Sequence, residues 1–362
     1  MAGRAMNAER KIRVLIVDDS AFMRKVIGDI LGADPSIDVV GRARNGREAM
    51  DAINGLSPDV VTLDIEMPGK SGLEVLRDIM AIKPIPVVMV SSLTKQGANE
   101  TMQALDSGAV DFVTKPSGTI SLDMDKVGDE LRQKVIAASK ASLRTSRLHI
   151  GLATKILPPP PIQSRREAMP RRLEMLVIAA STGGPMALQE VIPELSADFP
   201  LPVLIVQHMP PGFTSSFASR LNERSKLTVL EACDGMPIRK GAVIIAPGGY
   251  HLIVEKKQMN LVCRLTETPP VRSVRPSADV LFTSVSEVVG GNILTLVLTG
   301  MGRDGLDGTR LLRQKGAYVI AESKETSVIY GMPGAVTGAG LVDEVLPLYS
   351  IAAGLERVSK QN

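Results

Sequence analysis

The chain has no tryptophan, and aromatic residues make up only 3% of its 362 positions. A surface for nucleic acid combines clustered basic residues with stacking aromatics. Lys and Arg number 42 against 39 Asp and Glu, a net charge of only +3, so neither ingredient is present. Cysteine is scarce too. Cys233 and Cys263 are the only two, enough to pair in principle but more in keeping with a reducing cytoplasm. No apolar run approaches the roughly 20 residues needed to cross a bilayer. Met1 to Arg13 is polar and basic with no apolar stretch, so no signal peptide and no membrane insertion are expected. A soluble cytoplasmic protein is therefore expected. Histidine is rare as well, at three residues, which narrows the choice of any general base.

What is present is ordinary globular material, 44% hydrophobic and 22% charged, in a chain long enough to favour two domains. The first part alternates apolar runs with helical spacing. Val14 to Val17, Val39-Val40, Val60 to Leu63, Pro86 to Val90 and Val110 to Val113 read as strands. Phe22 to Leu31, Arg47 to Ile53, Leu73 to Ile82 and Ala98 to Asp106 read as helices between them. Such βα alternation predicts an α/β fold with a doubly wound, five-strand parallel sheet.

The next stretch differs. Val127 to Ser142 has helical character, then Ser, Arg and Lys residues lead to Pro158-Pro159-Pro160-Pro161. Four prolines exclude helix and sheet and favour an extended chain. An interdomain linker is expected here. From Leu173 a second alternation begins, with strands at Leu176–Ala180, Val203–Val206, Val243–Ala246, Leu252–Val254, Leu294–Leu298 and Tyr318–Ala321. Helices are expected at Met186–Ile192, Ser215–Glu223, Ala278–Val288 and Asp307–Gln314, giving another mostly parallel sheet.

In the first part, Asp18 and Asp19 follow the first strand, Asp64 the third, and Lys115 the fifth. Strand C-termini of a doubly wound sheet share one edge, where ligands bind. Three carboxylates and a lysine would then share a pocket. Crowded carboxylates repel, and Mg²⁺ with its oxygen ligands relieves that. Asp64 would be a nucleophile towards phosphorus, with Lys115 and the metal neutralising the transferred group. Ser91, ending the fourth strand, would hydrogen-bond it. Asp18 and Asp19 taken singly also suit N-capping of the helix containing Phe22. Four such residues at strand ends in order favour the site.

In the second part, Leu176-Val177-Ile178-Ala179-Ala180-Ser181-Thr182-Gly183-Gly184-Pro185 reads as a buried strand entering a glycine turn and then a helix. That is how a hydrolase presents a serine nucleophile. His208, at the end of a strand, is favoured as base over His251, which begins a strand after a turn and points to the opposite edge or the periphery. His149 falls in the linker. Asp304, in Thr299-Gly300-Met301-Gly302-Arg303-Asp304-Gly305, fits the acid that orients the base, although Asp-Gly is also a common turn pair. The order Ser181, His208, Asp304 is not the Ser-Asp-His order of α/β-hydrolases. Ala179 also replaces the first glycine of their nucleophile motif.

Two resemblances follow. Asp18-Asp19-Ser20, Leu63-Asp64-Ile65-Glu66-Met67-Pro68-Gly69 and Thr114-Lys115-Pro116 resemble the response-regulator receiver domains. This resemblance implies phosphorylation of Asp64 from a histidine-kinase phosphohistidine. It also implies Mg²⁺ held by Asp19, Asp64 and the backbone carbonyl of Glu66, with Asp18 in support. Phe112 takes the place of that family's aromatic switch residue, and Ser91 that of a commoner threonine. Ala180 to Pro185, Gln207-His208-Met209-Pro210, Ala246 to His251, Arg275-Pro276-Ser277-Ala278-Asp279, Thr299 to Gly305 and Gly331-Met332-Pro333 resemble the chemotaxis protein-glutamate methylesterases, the CheB family.

The second resemblance implies a receiver at 1–118, a linker at 119–170 and an α/β methylesterase domain at 171–362. It implies a triad of Ser181, His208 and Asp304, with backbone amides near Thr182 or Met301 at the oxyanion. The implied substrate is a glutamate γ-methyl ester on a chemoreceptor, and the implied phosphodonor is a CheA-type kinase. Deamidation of receptor glutamine is expected as a weaker second activity, because amides are poorer electrophiles. Ester hydrolysis itself needs no cofactor. The family also implies that the unmodified receiver restricts the esterase and that phosphorylation releases it. Three rivals are weaker. A DNA-binding output lacks a basic recognition helix, an inactive adaptor would not need an intact triad, and a metabolic esterase has little use for a receiver.

Overall fold

The computed structural model describes residues 10–115, 122–141 and 172–360, with side chains from 127 onward in the second stretch. The expected proline-rich extension at 158–161 and His149 lie outside the described residues. The chain divides into two compact units, Met1–Arg147 and Leu148–Asn362.

The first unit carries β1 (Ile12–Val17), β2 (Ile37–Ala43), β3 (Val60–Asp64), β4 (Val87–Ser91) and β5 (Asp111–Thr114). They form a parallel five-stranded sheet in the order β2-β1-β3-β4-β5. Strands β3 and β4 are buried at every position, as expected when helices cover both faces. The helices are α1 (Ala21–Gly32), α2 (Gly46–Leu56), α3 (Gly72–Ile82), α4 (Lys95–Asp106) and α5 (Leu122–Ser139). Local chemistry sets their starts. Ser20, Asn45, Ser71 and Thr94 each accept a hydrogen bond from the first-turn backbone, and Ser71 with Glu74 completes a capping box.

One expectation is corrected here. The helix assigned to the linker starts earlier and packs against α1 and β5. Leu131, Val135 and Ala138 are buried there, so this helix belongs to the receiver layer. Its apolar spacing was readable, but a helix at a domain end shows its partner only in three dimensions.

The second unit has a seven-stranded sheet whose members pair in parallel. The order is β14 (Glu344–Leu346), β13 (Tyr318–Glu322), β12 (Ile293–Val297), β6 (Met175–Ala180), β7 (Val203–Gln207), β9 (Ala242–Ile245) and β8 (Thr228–Glu231). Helices α6 (Gly184–Val191), α7 (Phe213–Arg224), α8 (Ala278–Val288), α9 (Leu306–Gln314), α10 (Met332–Gly338) and α11 (Leu348–Lys360) complete it. The segment around Leu252–Val254 does not join this sheet. It lies in β10 (His251–Lys257), paired antiparallel with β11 (Asn260–Thr266) as a separate hairpin that packs on α8. Edge strands β8 and β14, and helices α10 and α11, carry no strong signal in the sequence.

Candidate active site and receiver pocket

Sheet order decides the first site. Strand β6 is flanked by β7 and β12, and the chain winds outward from it in both directions. The crevice at such a reversal, beyond the strand C-termini, is where open α/β sheets bind ligands. Ala180 pairs with Gln207 and Ala179 with Val297, so the next residues of all three strands leave the sheet together.

Ser181 leaves β6 into a turn closed by Gly184, whose amide donates to the Ser181 carbonyl at 2.7 Å. Gly183 has φ +77, and a Cβ there would lie 2.6 Å from Val328 Cβ. Only glycine fits both demands. At Gly300 a Cβ would lie 2.8 Å from Ser181 Cβ, so the β12 loop approaches the serine closely because it is bare there.

The His208 ring bridges the other two predicted residues. Its Nδ1 lies 3.1 Å from Ser181 Oγ and its Nε2 2.8 Å from Asp304 Oδ2. An ionised carboxylate only accepts, so Nε2 carries the ring proton and Nδ1 is left with a lone pair for the serine hydroxyl. Asp304 is buried and well supplied with donors. Ser277 Oγ donates to its Oδ1 at 2.7 Å, the Ala278 amide to Oδ2 at 2.6 Å and the Asp279 amide to Oδ1 at 3.1 Å. Burial pushes its pKa up, but the His208 contact and these donors outweigh burial and bring it down to about 2. Among the described residues, the amides of Thr182 and Met301 donate no hydrogen bond.

Further residues belong to this site that spacing does not reveal. The Gln207 side-chain amide donates to the backbone carbonyls of Ser181 at 3.0 Å and His208 at 3.1 Å, tying these two segments together. Ser277, Ala278 and Asp279 hold Asp304 from a distant stretch of chain. Their motif was legible, but not its partner. His251, expected at the opposite edge or the periphery, is instead fully buried and accepts from the Ser277 amide. The hairpin that carries it folds onto α8, which no strand count predicts.

The receiver pocket forms by the same logic at the reversal between β1 and β3. Asp18, Asp19 and Asp64 offer oxygens all within 4.8 Å of one another. Asp18 and Asp64 are fully buried while Asp19 is exposed. Lys115 Nζ donates to Asp64 Oδ2 at 2.7 Å and lies 3.8 Å from Asp18 Oδ2. Burial pushes the Asp64 pKa up to about 6; the Lys115 contact opposes this and the Asp18 charge adds to it. Asp18 Oδ2 has no hydrogen-bond partner among the described residues. A buried acceptor without a donor, beside two more carboxylates, fits a hard divalent cation. Ser91 Oγ donates to the Gly97 carbonyl at 3.2 Å and pairs with Thr101 Oγ1 at 2.8 Å. Phe112 is buried, with Lys134 Nζ 5.1 Å from its ring centroid.

Two family models match the chain. "Response regulator receiver domain" covers residues 14–124 and "CheB methylesterase" covers residues 176–355. A protein of Symbiobacterium thermophilum named protein-glutamate methylesterase/protein-glutamine glutaminase is 50% identical over 96% of this chain and 97% of its own. The chain belongs to the CheB methylesterase family. A relative of the same name from Oceanobacillus iheyensis is 47% identical over 94% of this chain and 97% of its own. The crystal structure of the Thermotoga maritima CheB methylesterase catalytic domain matches with TM-score 0.51 and 42% identity, over 51% of this chain and 98% of that one. That family membership accounts for the paired site and receiver pocket on one chain. The two cysteines are both free, Cys233 exposed and Cys263 buried. No described helix is long and apolar enough to cross a membrane.

Proposed function

We propose that this protein is a phosphorylation-regulated hydrolase of glutamate γ-methyl esters on chemoreceptors, and that it also deamidates receptor glutamines. The observation that carries this reading is the His208 ring held between Ser181 Oγ at 3.1 Å and Asp304 Oδ2 at 2.8 Å. Ser181 is the nucleophile, His208 the base and Asp304 the group that fixes the ring.

As Ser181 Oγ attacks the ester carbonyl carbon, its proton passes to His208 Nδ1. The Nε2 proton stays on the Asp304 bond, and the carboxylate balances the imidazolium that forms. The carbonyl oxygen becomes an oxyanion facing the amides of Thr182 or Met301; one such donor is worth about 3 kcal/mol. The C–O bond to the methoxy group then breaks, and His208 Nδ1 gives its proton to the departing methanol. Water attacks the acyl-serine, with His208 taking its proton and returning it to Ser181 Oγ. A free glutamate remains. With glutamine the leaving group is ammonia.

Asp64 is the proposed phosphoryl acceptor, taking the group from the phosphohistidine of a CheA-type kinase. The residues placed to hold Mg²⁺ are Asp19, Asp64 and the Glu66 backbone carbonyl, and the ion would supply charge neutralisation for the phosphoryl oxygens. Lys115 already contacts Asp64 and would follow the new charge. To reach a phosphoryl group, Ser91 must give up its bond to the Gly97 carbonyl. That leaves the Gly97 carbonyl to Thr101 Oγ1, which also contacts Ser91, so the change at Asp64 would be felt at the first turn of α4. The receiver then releases the esterase it otherwise restricts, and the protein acts in the cytoplasm.

The test is methanol release from methylated chemoreceptor membranes by the full-length protein, with and without Mg²⁺ and a small phosphodonor. Release that rises with phosphodonor and disappears in Ser181→Ala is expected. No release from folded protein on a verified substrate would overturn the reading.

A further inference from the structure

His251 is a buried titratable residue that the mechanism above does not use. Both of its ring nitrogens are engaged. Nε2 lies 3.2 Å from the Pro269 carbonyl oxygen, and Nδ1 lies 3.1 Å from the Ser277 amide nitrogen. A carbonyl can only accept and an amide N–H can only donate. The ring must therefore be neutral, with its proton on Nε2 and its lone pair on Nδ1. Burial, the largest influence on this ring, acts in the same direction and lowers its pKa despite the Pro269 contact. Arg275 also opposes its protonation, while Asp304 favours it.

The Ser277 amide is a consequential one to hold. Ser277 is the N-cap of α8, yet its hydroxyl does not cap its own helix. It donates to Asp304 Oδ1 instead, and the first two amides of α8 donate to the same carboxylate. Asp304 thus takes the capping place at a helix N-terminus, where a negative charge is favoured. The His251 bond fixes the backbone from which all three of these donors project. A bond from Nδ1 of His251 therefore reaches the carboxylate that orients His208 through only one residue of chain.

We propose that His251 is a positioning residue for the esterase: its imidazole fixes the Ser277 backbone, and so aims the Asp304 carboxylate at His208. The proposal rests on the triad reading above. It acts through Asp304 and needs no contact between His251 and substrate. A misplacement of about 1 Å at such a site costs on the order of 10²-fold in rate.

The two ring contacts can be separated by substitution. Asn places an amide oxygen near the Nδ1 position and keeps an acceptor for the Ser277 amide. Gln reaches the Nε2 position and leaves that amide unpaired, and Leu removes both contacts. The full-length chain and His251→Asn, His251→Gln and His251→Leu would be compared at a temperature where all are folded by circular dichroism. Three readouts are taken: kcat and KM for methanol release, the rate at which a fluorophosphonate labels Ser181, and the low-field proton resonance of the His208–Asp304 bond.

Gln and Leu are expected to lower kcat and the labelling rate by about 10- to 100-fold, with KM within about twofold, and to shift or erase the resonance. Asn is expected to keep all three near the parent values. Equal losses in Asn, Gln and Leu, or full activity with an unmoved resonance in Leu, would overturn the proposal. The readouts also separate its failure from that of the substrate reading. Parent protein that labels with fluorophosphonate but releases no methanol has the wrong substrate assigned, and the labelling rates still decide the role of His251. Parent protein that does neither refutes the triad reading, and with it a positioning role for the reaction.

Discussion

Ala180 and Gln207 are partners in the β6–β7 register, so Ser181 and His208 leave the sheet side by side. The His208 amide donates to the Ala180 carbonyl at 3.2 Å, which continues the ladder one step past the strands. Sheet pairing therefore brings Ser181 and His208 to one place at the sheet edge. Asp304 arrives from the strand on the other side of β6.

Asp304→Asn should offer His208 Nε2 an amide in place of a carboxylate, and an amide nitrogen at the Oδ2 place would also lose the bond accepted from the Ala278 amide. The ring would lose the group that fixes its tautomer and balances the imidazolium. The same change to the triad aspartate of a serine protease lowers kcat by about 10⁴-fold, and a fall of that order is expected here. Steady-state methanol release measures it, and KM should barely move.

Gly183→Ala should be both destabilising and inactivating. The φ of +77 disfavours any side chain, and the new Cβ would meet Val328 Cβ at 2.6 Å. A left-handed residue with a Cβ costs about 1–2 kcal/mol before the clash is counted. Denaturant unfolding should show a loss of about 2 kcal/mol or more, with slower labelling of Ser181.

Glu322 gives a pH prediction. This buried carboxyl accepts from the Thr299 amide at 2.8 Å and from Thr326 Oγ1 at 2.9 Å. Burial raises its pKa from 4.5 to about 7, against the pull of those donors. The folded state thus binds the proton more tightly than the unfolded chain. Its contribution to stability is fully present below 4.5 and is lost as pH rises through about 7. The slope in that window is at most ~1.4 kcal/mol per pH unit. Glu322→Gln should remove this slope in urea unfolding across the window; an unchanged slope would count against it.

In the receiver, Asp18 and Asp64 are fully buried and share one lysine. Mg²⁺ should raise the thermal stability of the full-length protein, by about 2.7 kcal/mol at a hundredfold excess over its Kd. Chelation should reverse this, and Asp64→Asn should abolish most of it. Without metal, the same substitution should stabilise the fold near neutral pH, because burial and the Asp18 charge raise the Asp64 pKa to about 6 in spite of Lys115, so the ionised carboxylate costs the folded state. Calorimetry with Mg²⁺ or with chelator tests both statements.

The sequence made the two α/β layers legible through βα alternation, and the parallel strand ends then implied which residues share an edge. Asp18, Asp64, Ser91 and Lys115, and separately Ser181, His208 and Asp304, could be named because each follows or ends an apolar run. The cap of α1 is Ser20, not the Asp18 or Asp19 that the sequence suggested, because α1 begins at Ala21 and its cap position falls just past that pair. Less was legible where the signal is short or the partner distant. Strands β8 and β14 are edge strands of four and three residues, too brief for a period to show. The segment from Leu252 has the apolar look of a sheet strand, yet it pairs with β11 instead.

By itself, then, the sequence determined which residues are candidates for the chemistry and on which element each sits, because backbone period and turn residues act over a few positions. Tertiary structure decided what supports them. Only the docking of the β10–β11 hairpin on α8 brings His251 to the Ser277 amide, and only the closeness of the start of α8 to the loop after β12 gives Asp304 its three donors. Those contacts join residues some 26 or 27 positions apart along the chain. Hydrophobic burial and backbone hydrogen bonding over the whole unit set such separations, and no local pattern encodes them.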